Sequence, residues 1–253
     1  MTDAPGPAQP KFQYQRIADQ LRAAIAEGRH RAGERLPGED ALAKEYGVGA
    51  VTIQRAVELL KNDGFLAGRR GSGVYVQDLQ LLRRHGTPRR TDDQWAAGPR
   101  IWPANETQRP TIDQVEVNEE PAPSSVAAVL GLHDKEAALV CDCRFLVDGR
   151  PVKLVRTYLP TRLSRGGTVA RADSAPGDLQ SMLAELGLHP EHIREEVRGR
   201  APSSEEANRL GIPIGRFVLE AYRVAIDGNG QAIGVEQTTM DSASYVVEYA
   251  YEL

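Results

Sequence analysis

Tyr46-Gly47-Val48-Gly49-Ala50-Val51-Thr52-Ile53-Gln54-Arg55-Ala56-Val57-Glu58-Leu59-Leu60 holds the end of one helix, a glycine turn and the start of a longer helix. The apolar residues Val48, Ile53, Ala56, Val57 and Leu60 fall on one face at steps of three and four. Ala50, Val51, Gln54, Arg55 and Glu58 are left pointing elsewhere. Two helices joined in this way, the second with a small and polar free face, fit a helix-turn-helix whose second helix can enter a DNA major groove.

Residues on either side support the same reading. From Phe12 to Ile25, the residues Tyr14, Ile17, Ala18, Leu21, Ala24 and Ile25 repeat at helical spacing, and Glu27-Gly28 ends the segment as a C-terminal glycine does. A turn through Ala32-Gly33-Glu34 leads to Leu36-Pro37-Gly38-Glu39, and Pro37 and Glu39 open a helix carrying Leu42, Ala43 and Tyr46. Beyond the longer helix, Gly64-Phe65-Leu66-Ala67-Gly68 and Val74-Tyr75-Val76 are short β runs joined by the basic tip Arg69-Arg70-Gly71-Ser72-Gly73. Such a wing can approach phosphates or a minor groove.

With these pieces in order, residues 11–77 resemble the winged helix-turn-helix of the GntR family of bacterial transcription regulators. The resemblance rests on Tyr14 with Ile17, Gly28, Gly33 to Pro37, Gly47-Val48, Thr52-Ile53, Ala56, Leu59-Leu60, Gly64-Phe65-Leu66 and Gly71 to Val76. It implies double-stranded operator DNA as partner, contacted by Lys44, Gly49, Ala50, Val51, Thr52, Gln54, Arg55, Arg69, Arg70, Gly71 and Ser72. The family commonly has serine and arginine where Gly49 and Ala50 stand, and often arginine at Asp40 and Gln54. Arginine reads guanine and glutamine reads adenine by paired hydrogen bonds, so a less guanine-dependent operator is expected.

The 253 residues are enough for two cores. Charge divides in the same way: residues 1–90 carry 15 Lys and Arg to 10 Asp and Glu, residues 111–253 carry 14 to 22, and the whole chain is −4. A basic head on an acidic body suits a protein that presents only its head to phosphate. Residues 1–10, rich in Pro, Ala and Gly, are expected to be disordered. Residues 78–110 form a linker that includes Trp95 and Trp102, part of it packing on the second domain. No apolar run approaches the roughly 18 residues of a membrane span, and no targeting signal is evident, so a cytoplasmic protein is expected. Cys141 and Cys143 alternate on one strand face as reduced core residues, and His189 and His192 read as an exposed loop, so no metal site or cofactor is expected.

The C-terminal part repeats itself. Pro123-Ser124-Ser125, Ala128, Leu130-Gly131-Leu132, Leu139, Arg144 and Asp148-Gly149 recur as Pro202-Ser203-Ser204, Ala207, Leu210-Gly211-Ile212, Leu219, Arg223 and Asp227-Gly228. Each copy reads as a serine-opened helix, a strand, an Asp-Gly hairpin and a returning strand, Val152 to Tyr158 or Ile233 to Met240, with another helix at Asp178 to Leu186. The fold class is α+β, an antiparallel sheet of two similar halves with helices packed against it.

Residues 111–253 resemble the UTRA effector-binding domain of the HutC subfamily, on Pro121-Ala122-Pro123, Leu130-Gly131, Arg144, Asp148 to Pro151, Tyr158-Leu159-Pro160, Ser203 to Ile212, Arg223 and Tyr245. The resemblance implies a chorismate-lyase-like fold and a small-molecule cleft met by a hairpin arginine, here Arg144, and by a carboxylate whose usual position holds Val155. Its counterpart in the second copy is Glu236. The candidate effector residues are Arg144, Arg156, Tyr158, Arg223, Glu236 and Tyr245, and the arginines suit an anionic or carboxylate-bearing effector. The alternative is that these arginines pair with Glu220, Glu236 or Asp142 within the sheet. No nucleophile elbow, phosphate loop or metal-ligand cluster points to an enzyme. The expectation is a homodimeric, effector-responsive repressor on a palindromic operator; the rivals are an effector-independent repressor or partner-binding module, and an enzyme of chorismate-lyase-like fold.

Overall fold

The computed structural model describes residues 12–69, 71–77, 82–85, 110–133, 136–164 and 178–249. The stretch expected to be disordered and both tryptophans of the linker fall outside them. Two compact units, Met1–Gln80 and Leu81–Leu253, divide the chain.

In the first unit, α1 (Gln13–Ala26), α2 (Glu39–Tyr46) and α3 (Ala50–Asn62) precede the hairpin of β1 (Leu66–Arg69) and β2 (Gly73–Val76). The apolar positions of the three helices meet in one core, where Leu21, Ile53 and Leu60 are fully buried beside Leu42 and Leu66. Each such side chain contributes roughly 1.5–3 kcal/mol by leaving water. Gly47, in the left-handed conformation at φ 65°, ends α2, and two residues later Gly49 is the N-cap of α3. Arg22 bridges Asp19 at 2.7 Å and Asp63 at 2.5 Å, tying α1 to the end of α3. The wing gains a third edge where Leu36 N donates to Val74 O (2.8 Å) and Val76 N to Glu34 O (2.9 Å). At Gly73 the backbone conformation (φ 109°) favours glycine, and the Arg35 guanidinium lies over it.

The second unit contains β3 (Leu82–His85), β4 (Thr111–Pro121), α4 (Ser124–Leu130), β5 (Ala137–Val147), β6 (Arg150–Pro160), α5 (Thr161–Ser164), α6 (Leu179–Glu185), β7 (His192–Arg200), α7 (Ser204–Leu210), β8 (Val218–Ile226), β9 (Ala232–Asp241) and β10 (Tyr245–Glu248). Six of these strands make one antiparallel sheet, ordered β4-β5-β6-β9-β8-β7. The order is a palindrome of the sequence repeat: each copy contributes an edge strand, a helix and a hairpin, and the returning strands β6 and β9 meet at the centre. The helices align at an offset of 80, so the first copy's N-cap is Pro123, not the serine expected there, while Ser203 caps the second. Asp148 (φ 51°) and Gly149 (φ 74°) form the two-residue turn between β5 and β6, in the positive-φ pattern that Asp-Gly favours.

Strand alternation sends alternate residues to opposite faces. On one face α6 packs Leu179, Met182 and Leu183 against Leu139, Cys141, Cys143, Phe145, Val155 and Leu159. The contact with β9 is so close that a Cβ on Gly234 would overlap the Leu179 side chain. The other face carries α4 and α7, with Val126 and Leu130 on Val140, Tyr158, Val224 and Val235, and Leu210 on Leu154 and Val218. Within the linker over 78–110, part of which was expected to pack on the second domain, Leu82–His85 forms a strand. This segment pairs in parallel with β10, and Leu82 is buried among Val147, Val152, Met240 and Tyr245. The pairing partner dictates the strand, since Leu-Arg-Arg-His has no alternating apolar pattern of its own.

Candidate functional site

The head presents an exposed surface at the start of α3. Gly49 precedes the helix without a side-chain cap, Ala50, Val51, Gln54 and Arg55 are exposed, and Thr52 is half-buried. Val51 is 65 % exposed, unusual for a branched apolar side chain on a free helix face and suited to contact with a thymine methyl. The uncapped first turn of α3 offers backbone N–H groups and the positive end of the helix dipole to a phosphate. Lys44 is exposed on the last turn of α2. On the wing, the Arg69 guanidinium lies 4.3 Å from the Tyr75 ring centre, and Ser72 Oγ is 2.6 Å from Tyr75 OH. Tyr75 thus orders the tip, with Gly71 making the turn at φ 73°. Arg70 falls outside the described residues. The sequence reading missed Arg35, exposed and bridged to Tyr75 through its backbone, beside the glycine at the wing base. The adjacent Leu36-Pro37 was the available signal.

The candidate effector residues do not gather in one place. Arg144, Arg156 and Tyr158 lie on the sheet face that carries α4 and α7. Arg144 pairs with Asp113 and donates to Arg209 O at 3.2 Å. Arg156 reaches Asp142 at 2.7 Å, and the same carboxylate receives Arg209 at 2.5 Å. Tyr158 is buried under α4, its hydroxyl 3.4 Å from Gln237. Of these groups, Asp113, Asp142, Arg156 and Arg209 line a polar cleft with Gln114, Glu116 and Glu205, whereas Arg144 and Tyr158 do not. Arg223 and Glu236, directly opposite one another across β8 and β9, lie on the other face, because Glu236 stands opposite Thr157 and hence on the far side from Arg156. The single pocket expected to join Arg144, Arg156 and Arg223 is therefore not formed. Tyr245 is on the face of Glu236 but in the apolar cluster around Met240 and Leu82.

Around Arg223 and Glu236, beside α6, is a concentration of buried polar groups. Arg223 pairs with Glu195 at 2.8 Å, and Tyr249 OH donates to Glu195 at 2.8 Å. Glu236 accepts from Leu179 N at 2.9 Å and from Thr238 Oγ1 at 3.1 Å. Asp178 caps α6 by accepting from Ser181 N and Oγ. Lys153 is buried with its Nζ 4.1 Å from the Phe145 ring centre. Burial first, and then the neighbouring Glu236 carboxylate, pushes Asp178 up to about 6 against the hydrogen bonds from Ser181. Burial pulls Arg223 down, but Glu236 and Glu195 outweigh it and hold the guanidinium above its ordinary value. Thr157 Oγ1, fully buried between Cys141 and Glu236 in the sheet, has no hydrogen-bond partner. Glu195, Asp178, Lys153 and Thr157 were not singled out in the sequence: their meeting depends on the β6–β9 register and on the placement of α6.

The cysteines Cys141 and Cys143 are free and buried, with sulfurs 3.5 Å apart. Among the described residues no group of three or more His, Cys, Asp or Glu is arranged to hold a metal, and no helix is long and apolar enough to cross a membrane.

Comparison with known proteins bears on both units. Residues 13–76 match the family model described as bacterial regulatory proteins, gntR family, and residues 105–246 match the UTRA domain. The HTH-type transcriptional regulator Rv0792c of Mycobacterium tuberculosis is 28 % identical over 225 residues, covering 87 % of this chain and 78 % of its own. The HTH-type transcriptional repressor NagR of Bacillus subtilis is 25 % identical over 222 residues, covering 87 % and 86 %. Among solved structures, a GntR-family transcriptional regulator superposes with a TM-score of 0.62 at 23 % identity over 97 % of this chain and 98 % of its own. PhnF from Mycobacterium smegmatis superposes at 0.55 and 18 % identity over 95 % and 99 %. The chain belongs to the GntR family of transcriptional regulators, with a winged helix-turn-helix head and a UTRA domain behind it.

Proposed function

We propose that this protein is a cytoplasmic, homodimeric repressor without catalytic activity, which holds a palindromic operator through two α3 helices and their wings. A small-molecule effector bound at the buried polar cluster beside α6 releases it. The carrying observation is the cluster of Asp178, Glu195, Glu236, Lys153 and Arg223 with the unpartnered Thr157 hydroxyl. Burying so many ionisable groups beside one short helix costs stability, which an apolar face would not, so a ligand-binding purpose explains them better than packing. A relative named as a transcriptional repressor supports the direction of control.

In the head, Lys44, Gly49, Ala50, Val51, Thr52, Gln54, Arg55, Arg69, Arg70, Gly71 and Ser72 remain the assigned DNA contacts. Gln54 is the base reader, and Arg69 holds phosphate or the minor groove. In this cluster, Glu236 and Arg223 are the direct effector contacts, with Tyr245 in the apolar cluster around Met240. The expectation of an anionic effector rested on Arg144 and Arg156, with Arg223 as a third; the first two are engaged with Asp113 and Asp142 on the opposite face, and Arg223 is paired with Glu195. Three carboxylates against two cations favour an effector rich in hydroxyl or ammonium donors.

The test is operator binding by fluorescence anisotropy, with metabolites first screened by thermal shift on the full chain. Gln54→Ala should cost about 1–3 kcal/mol on operator and far less on random DNA. Glu236→Gln should weaken effector release about tenfold or more with operator affinity kept, and Arg156→Ala should leave release unchanged. The reverse pattern for Glu236 and Arg156 would move the effector to the other face.

A further inference from the structure

Several basic side chains of the head are already neutralised. Arg22 pairs with Asp19 and Asp63, Arg29 with Glu27, and Lys61 with Glu58. Arg35 and Arg69 are different. Both are exposed, and neither has a carboxylate partner among the described residues.

The wing puts these two arginines on one face. Arg35 stands opposite Tyr75 and Arg69 opposite Gly73, and Tyr75 and Gly73, two residues apart on β2, point the same way. Their neighbours Leu36, Leu66 and Val76 point the other way, into the core of the head. On the outer face the Arg35 guanidinium lies over Gly73, where an added Cβ would stand 2.8 Å from its Nε. The Arg69 guanidinium lies 4.3 Å from the Tyr75 ring centre. Gly73 thus leaves free the space that a side chain on β2 would fill. Two cations gathered on so small a patch repel each other, and an anion with several oxygens relieves that repulsion while accepting from both forks.

We propose that Arg35 and Arg69 form one seat for a phosphate of the DNA backbone, with Gly73 as its floor. Arg35, which lies outside both α3 and the wing tip, is then a further DNA contact. This rests on the reading above, in which Arg69 holds phosphate or the minor groove, and decides it for phosphate. The seat reads no base. It fixes the wing against the duplex and so helps to set the register of α3, as backbone contacts do.

The experiment is binding of the full-length protein to a random-sequence DNA duplex, by fluorescence anisotropy over a series of salt concentrations, with circular dichroism melts of every variant. Random duplex is the suitable probe because a phosphate contact does not depend on sequence. Arg35→Gln, which keeps most of the side chain but not its charge, should weaken binding roughly three- to tenfold. It should also make the salt slope shallower by roughly one for each head on the DNA. Arg35→Lys keeps the charge and loses the fork, so its slope should match wild type and its affinity stay within about threefold. Because both arginines hold the same phosphate, Arg35→Gln combined with Arg69→Gln should lose less than the product of the two single losses. Inorganic phosphate should compete no better than chloride at equal ionic strength. An unchanged slope in Arg35→Gln would overturn the contact, and fully multiplicative losses would overturn the shared seat. Stronger competition by inorganic phosphate, lost in Arg35→Gln, would assign the seat to a free phosphate ligand instead of DNA. Unchanged binding in Arg69→Gln would overturn the wing reading on which the seat rests.

Discussion

The two halves of the UTRA domain share one chain path and differ in what they place beside α6. In the first half, β5 and β6 supply mainly apolar groups, Cys141, Cys143, Phe145, Val155 and Leu159, with Lys153 and Thr157 the polar exceptions. In the second, β8 and β9 supply Arg223, Glu236 and Thr238, with Glu195 from β7. The opposite face repeats the contrast. There α4, from the first half, is seated by Val126 and Leu130 on apolar strand residues, while α7, from the second, adds ion pairs from Arg209 to Asp142 and from Arg200 to Glu206 and Glu220. The repeated apolar and glycine positions set the fold; the differing polar positions set what each half can bind.

That contrast can be broken most strongly at the buried ion pair. Arg223→Ala leaves Glu195, whose side chain is 7 % exposed, without its guanidinium, and should cost about 2–4 kcal/mol in urea unfolding. Arg144→Ala removes the corresponding arginine of the first half, whose partner Asp113 is 34 % exposed, and should cost less than about 1 kcal/mol. Equal losses would mean that the halves do not differ as described.

The helices come next. Leu130→Ala should cost about 2–3 kcal/mol, and the loss should be the same at low and high salt, because the contact is apolar. Glu206→Gln should cost about 1 kcal/mol, and the loss should shrink in 1 M salt, because the carboxylate binds Arg200 as well as the Ser203 N–H. Burial raises Glu206, but Arg200, the Ser203 N–H and Thr239 outweigh it and hold the carboxyl at about 2. Its contribution is therefore full above the ordinary glutamate range and lost as pH falls towards 2.

The smallest effect is a tilt with pH. Asp178, raised to about 6, favours folding in its protonated form, so its contribution is full below the ordinary aspartate range near 4 and lost as pH rises through 6. Asp178→Asn, which can still cap α6, should gain on wild type by on the order of 1 kcal/mol between those pH values. Parallel stability curves for the two proteins would place the titration elsewhere.

The head was legible because its signals are local: helical spacing from Val48 to Leu60, glycine stops at Gly28 and Gly47, and a glycine-rich tip. The repeat was legible from Leu130-Gly131 and Leu210-Gly211, which end matching helices. The cleft was not. Whether Arg156 and Glu236 share a face depends on the pairing of β6 with β9, and no turn fixes that register, since Thr157 and its partner Glu236 are joined through intervening helices and strands. Arg144 and Arg156 share a face through their local hairpin, which made them a plausible pair, but the carboxylates beside them, Asp113 and Asp142, already occupy them.

The parallel pairing of β3 with β10 also bears on the order in which the protein is made. Leu82 and Tyr245 are separated by about 160 residues, so closing that contact is entropically expensive and waits until the last strand has been synthesised. The head, a compact unit within the first 80 residues, can fold on the ribosome long before. A nascent chain would then hold a finished DNA-reading module behind an unfinished sensor, with the β3 strand the last piece to be fastened down.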